Sequence, residues 1–143
     1  MAAAPSSSRP RAPQPIERLL VVLVAVGLWS ILPPYVGPVL GLDLDVSSTV
    51  EAVDHLIPGV LAACAAFATL LLTRRGRADG LPAFAGLAIC ALAGLFQTVS
   101  HVTLVAHAGG PLRPPGSVAL HASPGPVLLA LSLWLLLRPP RSR

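Results

Sequence analysis

Lysine is missing from these 143 residues, and charge of either sign is scarce: ten arginines and six carboxylates make 11% charged residues, against 54% hydrophobic ones. A soluble domain of this size could not cover so much apolar matter with polar surface, so the composition requires lipid. Aromatics are only 4% of the chain, and no basic stripe is interleaved with them. The formal charge of +4 therefore describes arginines anchored beside a membrane, and nucleic acid is not a partner. The two cysteines, Cys64 and Cys90, form no CxxC, which argues against a thiol-oxidising membrane enzyme of the quinone-linked kind. No HExxH, Ser-His-Asp constellation, phosphate loop or dinucleotide fingerprint occurs either. With arginine as the only cationic side chain, the bias to Ala, Pro, Gly, Leu and Val is that of a GC-rich coding sequence.

What is present is a set of long apolar runs. A window of about 19 residues, the length that crosses a hydrocarbon core of roughly 30 Å, finds four. They cover residues 16–36, about 55–73, about 81–105 and about 117–137. Pro33 and Pro34 stop or kink the first, and Pro124 and Pro126 interrupt the entry to the fourth, each removing a backbone donor. A shallow or re-entrant entry is an open alternative at both places. The fold class expected is all-α: an integral membrane, up-down four-helix transmembrane bundle with an amphipathic outer extension of the second helix. Residues 1–15, rich in Pro, Ser and Ala, read as a disordered cytoplasmic tail; 16–137 form the transmembrane domain and 138–143 a second cytoplasmic tail. The first run lacks a small-x-small cleavage site and reads as an uncleaved anchor.

Arginine sets the orientation. Arg9, Arg11 and Arg18 precede the first run, Arg74, Arg75 and Arg77 lie between the second and third, and Arg138, Arg141 and Arg143 close the chain. Only Arg113 lies in the other two loops. By the positive-inside rule both termini are cytoplasmic, in a multi-pass protein of the cell membrane. All four histidines and the carboxylates Asp43, Asp45, Glu51 and Asp54 then share the outer side.

That outer end is where chemistry is possible. Ser48 and Glu51 form a capping-box pattern that starts a helix before the second run. From there Val50, Val53, Leu56 and Ile57 fall on one face, and Glu51, Asp54 and His55 on another. Pro58 would free the carbonyl of Asp54 and bend the chain. In the third run Gly86, Cys90, Gly94, Gln97 and His101 form one stripe at helical spacing, matched in the second by His55, Gly59, Ala62, Ala66 and Thr69. Facing each other, the two stripes would pack closely, bring Cys64 and Cys90 to similar depth, and set His55 level with His101. His121 begins the fourth run near the same level, while His107 falls in a Gly- and Pro-rich loop.

His55, His101 and His121 with Glu51 or Asp54 would meet the ligand needs of Zn²⁺ or Cu²⁺. His55 and His101 alone could instead hold a b-type haem between facing helices. Against both stands the plainer role of a solvated helix face and of Gln97 and His101 as hydrogen-bonding glue between spans. So little extramembrane mass favours a non-enzymatic accessory or assembly subunit, with the lipid bilayer and other membrane subunits, or further copies of itself, as partners. A metal- or haem-binding redox or sensor protein is the alternative. A small transporter is the third class, and the inner halves of the runs offer it only Cys64, Thr69 and Cys90, with Glu17 at the cytoplasmic end beside Arg18.

Overall fold

The structure, a computed structural model, describes residues 14–42, 47–78, 80–109 and 115–138. Asp43, Asp45, Arg113 and nearly all of both expected tails lie outside the described residues. Among the described residues all regular structure is helical: α1 (Pro15–Ile31), α2 (Pro33–Val39), α3 (Ser48–Glu51), a π turn (Ala52–Leu56), α4 (Ile57–Arg74), α5 (Leu81–Ser100), α6 (Val102–Ala106), α7 (Pro115–Ala122) and α8 (Pro124–Leu136).

Three continuous helical stretches, Thr49–Arg74, Leu81–Ala106 and Pro115–Leu136, are long and apolar enough to cross a membrane. At 1.5 Å per residue even the shortest exceeds a hydrocarbon core of about 30 Å. The chain is a membrane protein. Its first apolar run is not a straight fourth: α1 and α2 meet at 61°, and the pair counts as one span only as a bent unit. Pro33 and Pro34 at the start of α2 cannot donate to α1, which ends at the residue before Leu32. The fourth run, by contrast, passes its prolines, because Ser123 N–H still donates to the Ala119 carbonyl at 3.1 Å across the junction of α7 and α8.

The long helices pack pairwise, α1 on α4 and α8, and α5 on α4 and α8. Small residues set the crossings. A Cβ on Gly27 would stand 2.7 Å from the backbone nitrogen of Ala63, and one on Gly59 would stand 3.0 Å from the carbonyl of Gly27. Such close backbone approach is how apolar helices gain contact when lipid is as apolar as they are. Pairing of 27 with 63, of 31 with 59, of 62 with 90 and of 94 with 128 makes each neighbour antiparallel. The stripe on α5 is therefore shared: Gly86 and Cys90 face α4, where Cys90 Sγ–H donates to the Ala62 carbonyl at 3.4 Å, but Gly94 lies on Gly125, Leu128 and Leu129 of α8. Gly59, expected against that stripe, meets α1 instead. Cys64 is exposed, so the two free cysteines are not partners.

Outward faces carry Leu28, Phe67, Phe84, Leu92 and Leu133, as lipid contact demands. Arg138 stacks over Trp134 at 5.2 Å, a cation–π pair suited to the membrane–water boundary. Antiparallel packing gathers Arg18, Arg74 and Arg138 at one end of the helices and His55, His101 and His121 at the other.

Candidate metal centre

Each histidine of the cluster sits at an irregularity in its helix. His55 lies in the π turn, His101 is the cap between α5 and α6, and His121 stands two residues before the α7–α8 junction. The π turn precedes Pro58 in the first turn of α4; one extra residue per turn is a common device for re-aiming side chains at functional sites. His55 stays over Glu51; the Asp54 carboxylate is not in the ligand group, and the Asp54 main-chain carbonyl accepts from Gln97 Nε2.

The start of this helix also differs from the capping box. Ser47 is the cap, its Oγ accepting from the Val50 N–H at 3.3 Å. Glu51 is then one position too far along to close a box, and its carboxylate turns to the histidines. Val50, Val53, Leu56 and Ile57 are exposed. The apolar face of this extension points outward and the polar face inward, the reverse of a solvated surface helix.

His55, His101 and His121 are 2%, 6% and 3% exposed. Each ring directs Nδ1 at a backbone carbonyl: His55 to Ser30 at 3.2 Å, His101 to Gln97 at 2.8 Å, His121 to Ser117 at 2.9 Å. A carbonyl can only accept, which assigns the proton of each neutral ring to Nδ1 and the bare lone pair to Nε2; at His101, Ser100 Oγ also lies 3.0 Å from Nδ1, and its own hydroxyl donates to the Gln97 carbonyl at 3.2 Å. The Nε2 atoms of His55 and His121 both turn to the Glu51 carboxylate, and His101 Nε2 turns to His55. His55 Nε2 lies 3.3 Å from His101 Nε2 and 3.7 Å from Glu51 Oε2, and His121 Nε2 lies 3.7 Å from Glu51 Oε1. The rings pack edge to face, with centroids 5.0 and 5.4 Å from His55.

One ligand atom each from Glu51, His55 and His121 lies within 4.8 Å of the others, and His101 joins them through His55. With that tautomer the imidazole nitrogens turned to the cluster are acceptors, as is an ionised Glu51. Among the described residues Glu51 Oε2 is buried without a hydrogen-bond donor. An uncompensated buried acceptor costs about 1 to 3 kcal/mol, which a cation beside it would relieve. Two ligands on a tetrahedral ion with bonds of about 2.0 to 2.1 Å stand roughly 3.3 to 3.4 Å apart, the separation of the His55 and His101 nitrogens. Axial ligands of a haem lie on one line through the iron, about 4 Å apart, with a macrocycle between them. With the His55 and His101 nitrogens 3.3 Å apart, and Glu51 and His121 beside His55, there is no such slot.

His107 is exposed and outside the cluster; its Nδ1–H donates to the Thr103 carbonyl at 2.8 Å. Sequence reasoning passed over Ser30, the polar residue near the end of α1 whose carbonyl orients His55, and Ser117, which does the same for His121. A serine within an otherwise apolar run was the available signal for the first; the second follows from the helical i−4 spacing to His121. Comparison with known proteins finds no family model, no curated protein and no solved structure that matches the chain.

Proposed function

We propose that this is a non-enzymatic, zinc-binding protein of the cell membrane, an up-down four-helix bundle with both termini cytoplasmic and its metal on the outer side. The observation that carries this reading is the group of Glu51, His55 and His121, whose ligand atoms lie within 4.8 Å of one another, with His101 against His55 and each Nδ1 held at a backbone carbonyl. A proton shared between His55 and His101 would satisfy one pair only; an ion serves all four groups. The 3.3 Å between the His55 and His101 nitrogens matches one edge of a tetrahedral set, which favours Zn²⁺ over Cu²⁺, a metal that prefers tetragonal ligand sets. Glu51, His55 and His121 form the ligand group, and His101, next to His55, would complete four positions by closing on the ion. Catalytic zinc sites keep one open for water, so a closed set fits holding or sensing an ion, as an accessory component would. Three helices contribute ligands and α1 orients one of them, so the ion would pin the helix ends to each other.

Metal analysis of the detergent-purified protein tests the reading. One zinc per chain after dialysis, with no Soret band, is expected; a Soret band, or less than a tenth of an equivalent of any transition metal after loading, would overturn it. The topology rests on the arginine bias. A C-terminal fusion reporter active in the cytoplasm is expected, and one active only outside the cell would place the metal on the opposite side.

A further inference from the structure

Gln97 is 2% exposed in a seam otherwise filled by small and apolar side chains. Its Nε2 donates to the Asp54 carbonyl at 2.9 Å and to Ser30 Oγ. The amide orientation follows from its partners: the Asp54 carbonyl can only accept, so the NH₂ group faces it. That carbonyl would ordinarily bond the N–H of residue 58 in a helix, and residue 58 is proline. Gln97 supplies the donor that Pro58 withholds. It thereby ties α5 to the π turn at the residue before His55, and to α1 at Ser30. The main chain of Ser30 accepts His55 Nδ1–H, and the main chain of Gln97 itself accepts His101 Nδ1–H.

We infer that Gln97 is a positioning residue: its amide ties the main chain before His55, and Ser30 whose carbonyl orients that ring, to the turn of α5 whose own carbonyl orients His101, and so holds the two Nε2 atoms at ligand spacing. This rests on the zinc-binding reading above. An imidazole ligand is as well placed as the group that receives its other N–H, and outer-shell substitutions of this kind typically weaken metal binding by about 10- to 100-fold. The helix-gluing role expected of a buried Gln would act on stability alone. The two are separable, because a merely structural role would leave the coordination sphere of the bound metal unchanged.

The test uses Co²⁺ as a probe in the purified full-length chain, with Zn²⁺ competition for affinity. Wild type should show the intense visible absorption of a four-coordinate cobalt site. Gln97→Met, which keeps length and apolar bulk but removes both donors, should bind about 10- to 100-fold more weakly, with altered cobalt bands. Ser30→Ala, a smaller change that removes only the hydroxyl partner, should shift both readouts in the same direction by a lesser amount. If wild type takes up neither metal, the zinc-binding reading fails. Should wild type bind while both variants keep its affinity and spectrum, Gln97 has no positioning role and the zinc-binding reading stands. Where Gln97→Met does not fold, Ser30→Ala decides: unchanged affinity and bands overturn the inference.

Discussion

His55→Ala should abolish metal retention, lowering zinc affinity by at least about 100-fold, while His107→Ala keeps the wild-type content. His55 is the middle member of the cluster. Its Nε2 faces both the Glu51 carboxylate and the His101 ring, and its centroid is 5.0 to 5.4 Å from the other two rings. Truncation removes one ligand and also the contact through which His101 joins the rest. His107 has the same local i−4 bond to a carbonyl but stands exposed, with no carboxylate partner among the described residues. Zinc content after dialysis against a chelator of known affinity reads the difference. Wild-type content in His55→Ala would show that the cluster is not where the ion is held. The same ligand should stabilise the fold: at a free zinc concentration about 1,000-fold above its dissociation constant, wild type should gain about 4 kcal/mol that the variant does not.

Gly94→Leu should be the most damaging single change in the helix contacts, whereas Leu95→Ala, one residue away, should be nearly silent. A Cβ at 94 would lie 2.5 Å from the Leu129 backbone nitrogen, 2.8 Å from the Gly125 carbonyl and 2.9 Å from Leu128 Cβ. Two of these are main-chain atoms of α8, which cannot rotate out of the way. The helices must separate, at a cost of about 3 kcal/mol or more, and α8 would carry the entry to the His121 helix with it. Leu95 is 45% exposed and faces lipid, so trimming it should change stability by within about 0.5 kcal/mol. Thermal unfolding in detergent, followed by far-UV circular dichroism, separates the two. Equal midpoints would contradict the packing of α5 on α8.

The sequence made some of this legible because its signals were local. Apolar length marks the spanning helices whatever they pack against, and the spacings from Glu51 to His55 and from Gln97 to His101 put each pair on one face. Other features depend on tertiary contacts that no local pattern encodes. The α5 stripe has one face in sequence but two neighbours in space, so Gly94 was assigned to the wrong helix. The π turn has no residue signature beyond Pro58 nearby, and the Asp54 carboxylate expected as a ligand is not in the group of Glu51, His55 and His121. Ser47 and Ser48 are equally able to cap a helix, and the choice of the first frees Glu51 for the site. The Ser30 carbonyl is a backbone group 25 positions from His55, invisible to any reading of side-chain spacing.

X-ray absorption at the zinc edge of the loaded, detergent-purified protein is the measurement that bears most directly on the site. Four nitrogen or oxygen ligands at about 2.0 to 2.1 Å, with the outer-shell scattering of three imidazole rings, is the result expected from His55, His101, His121 and Glu51. A first shell containing sulfur, or one with the scattering of at most a single imidazole, would contradict a metal held by this cluster.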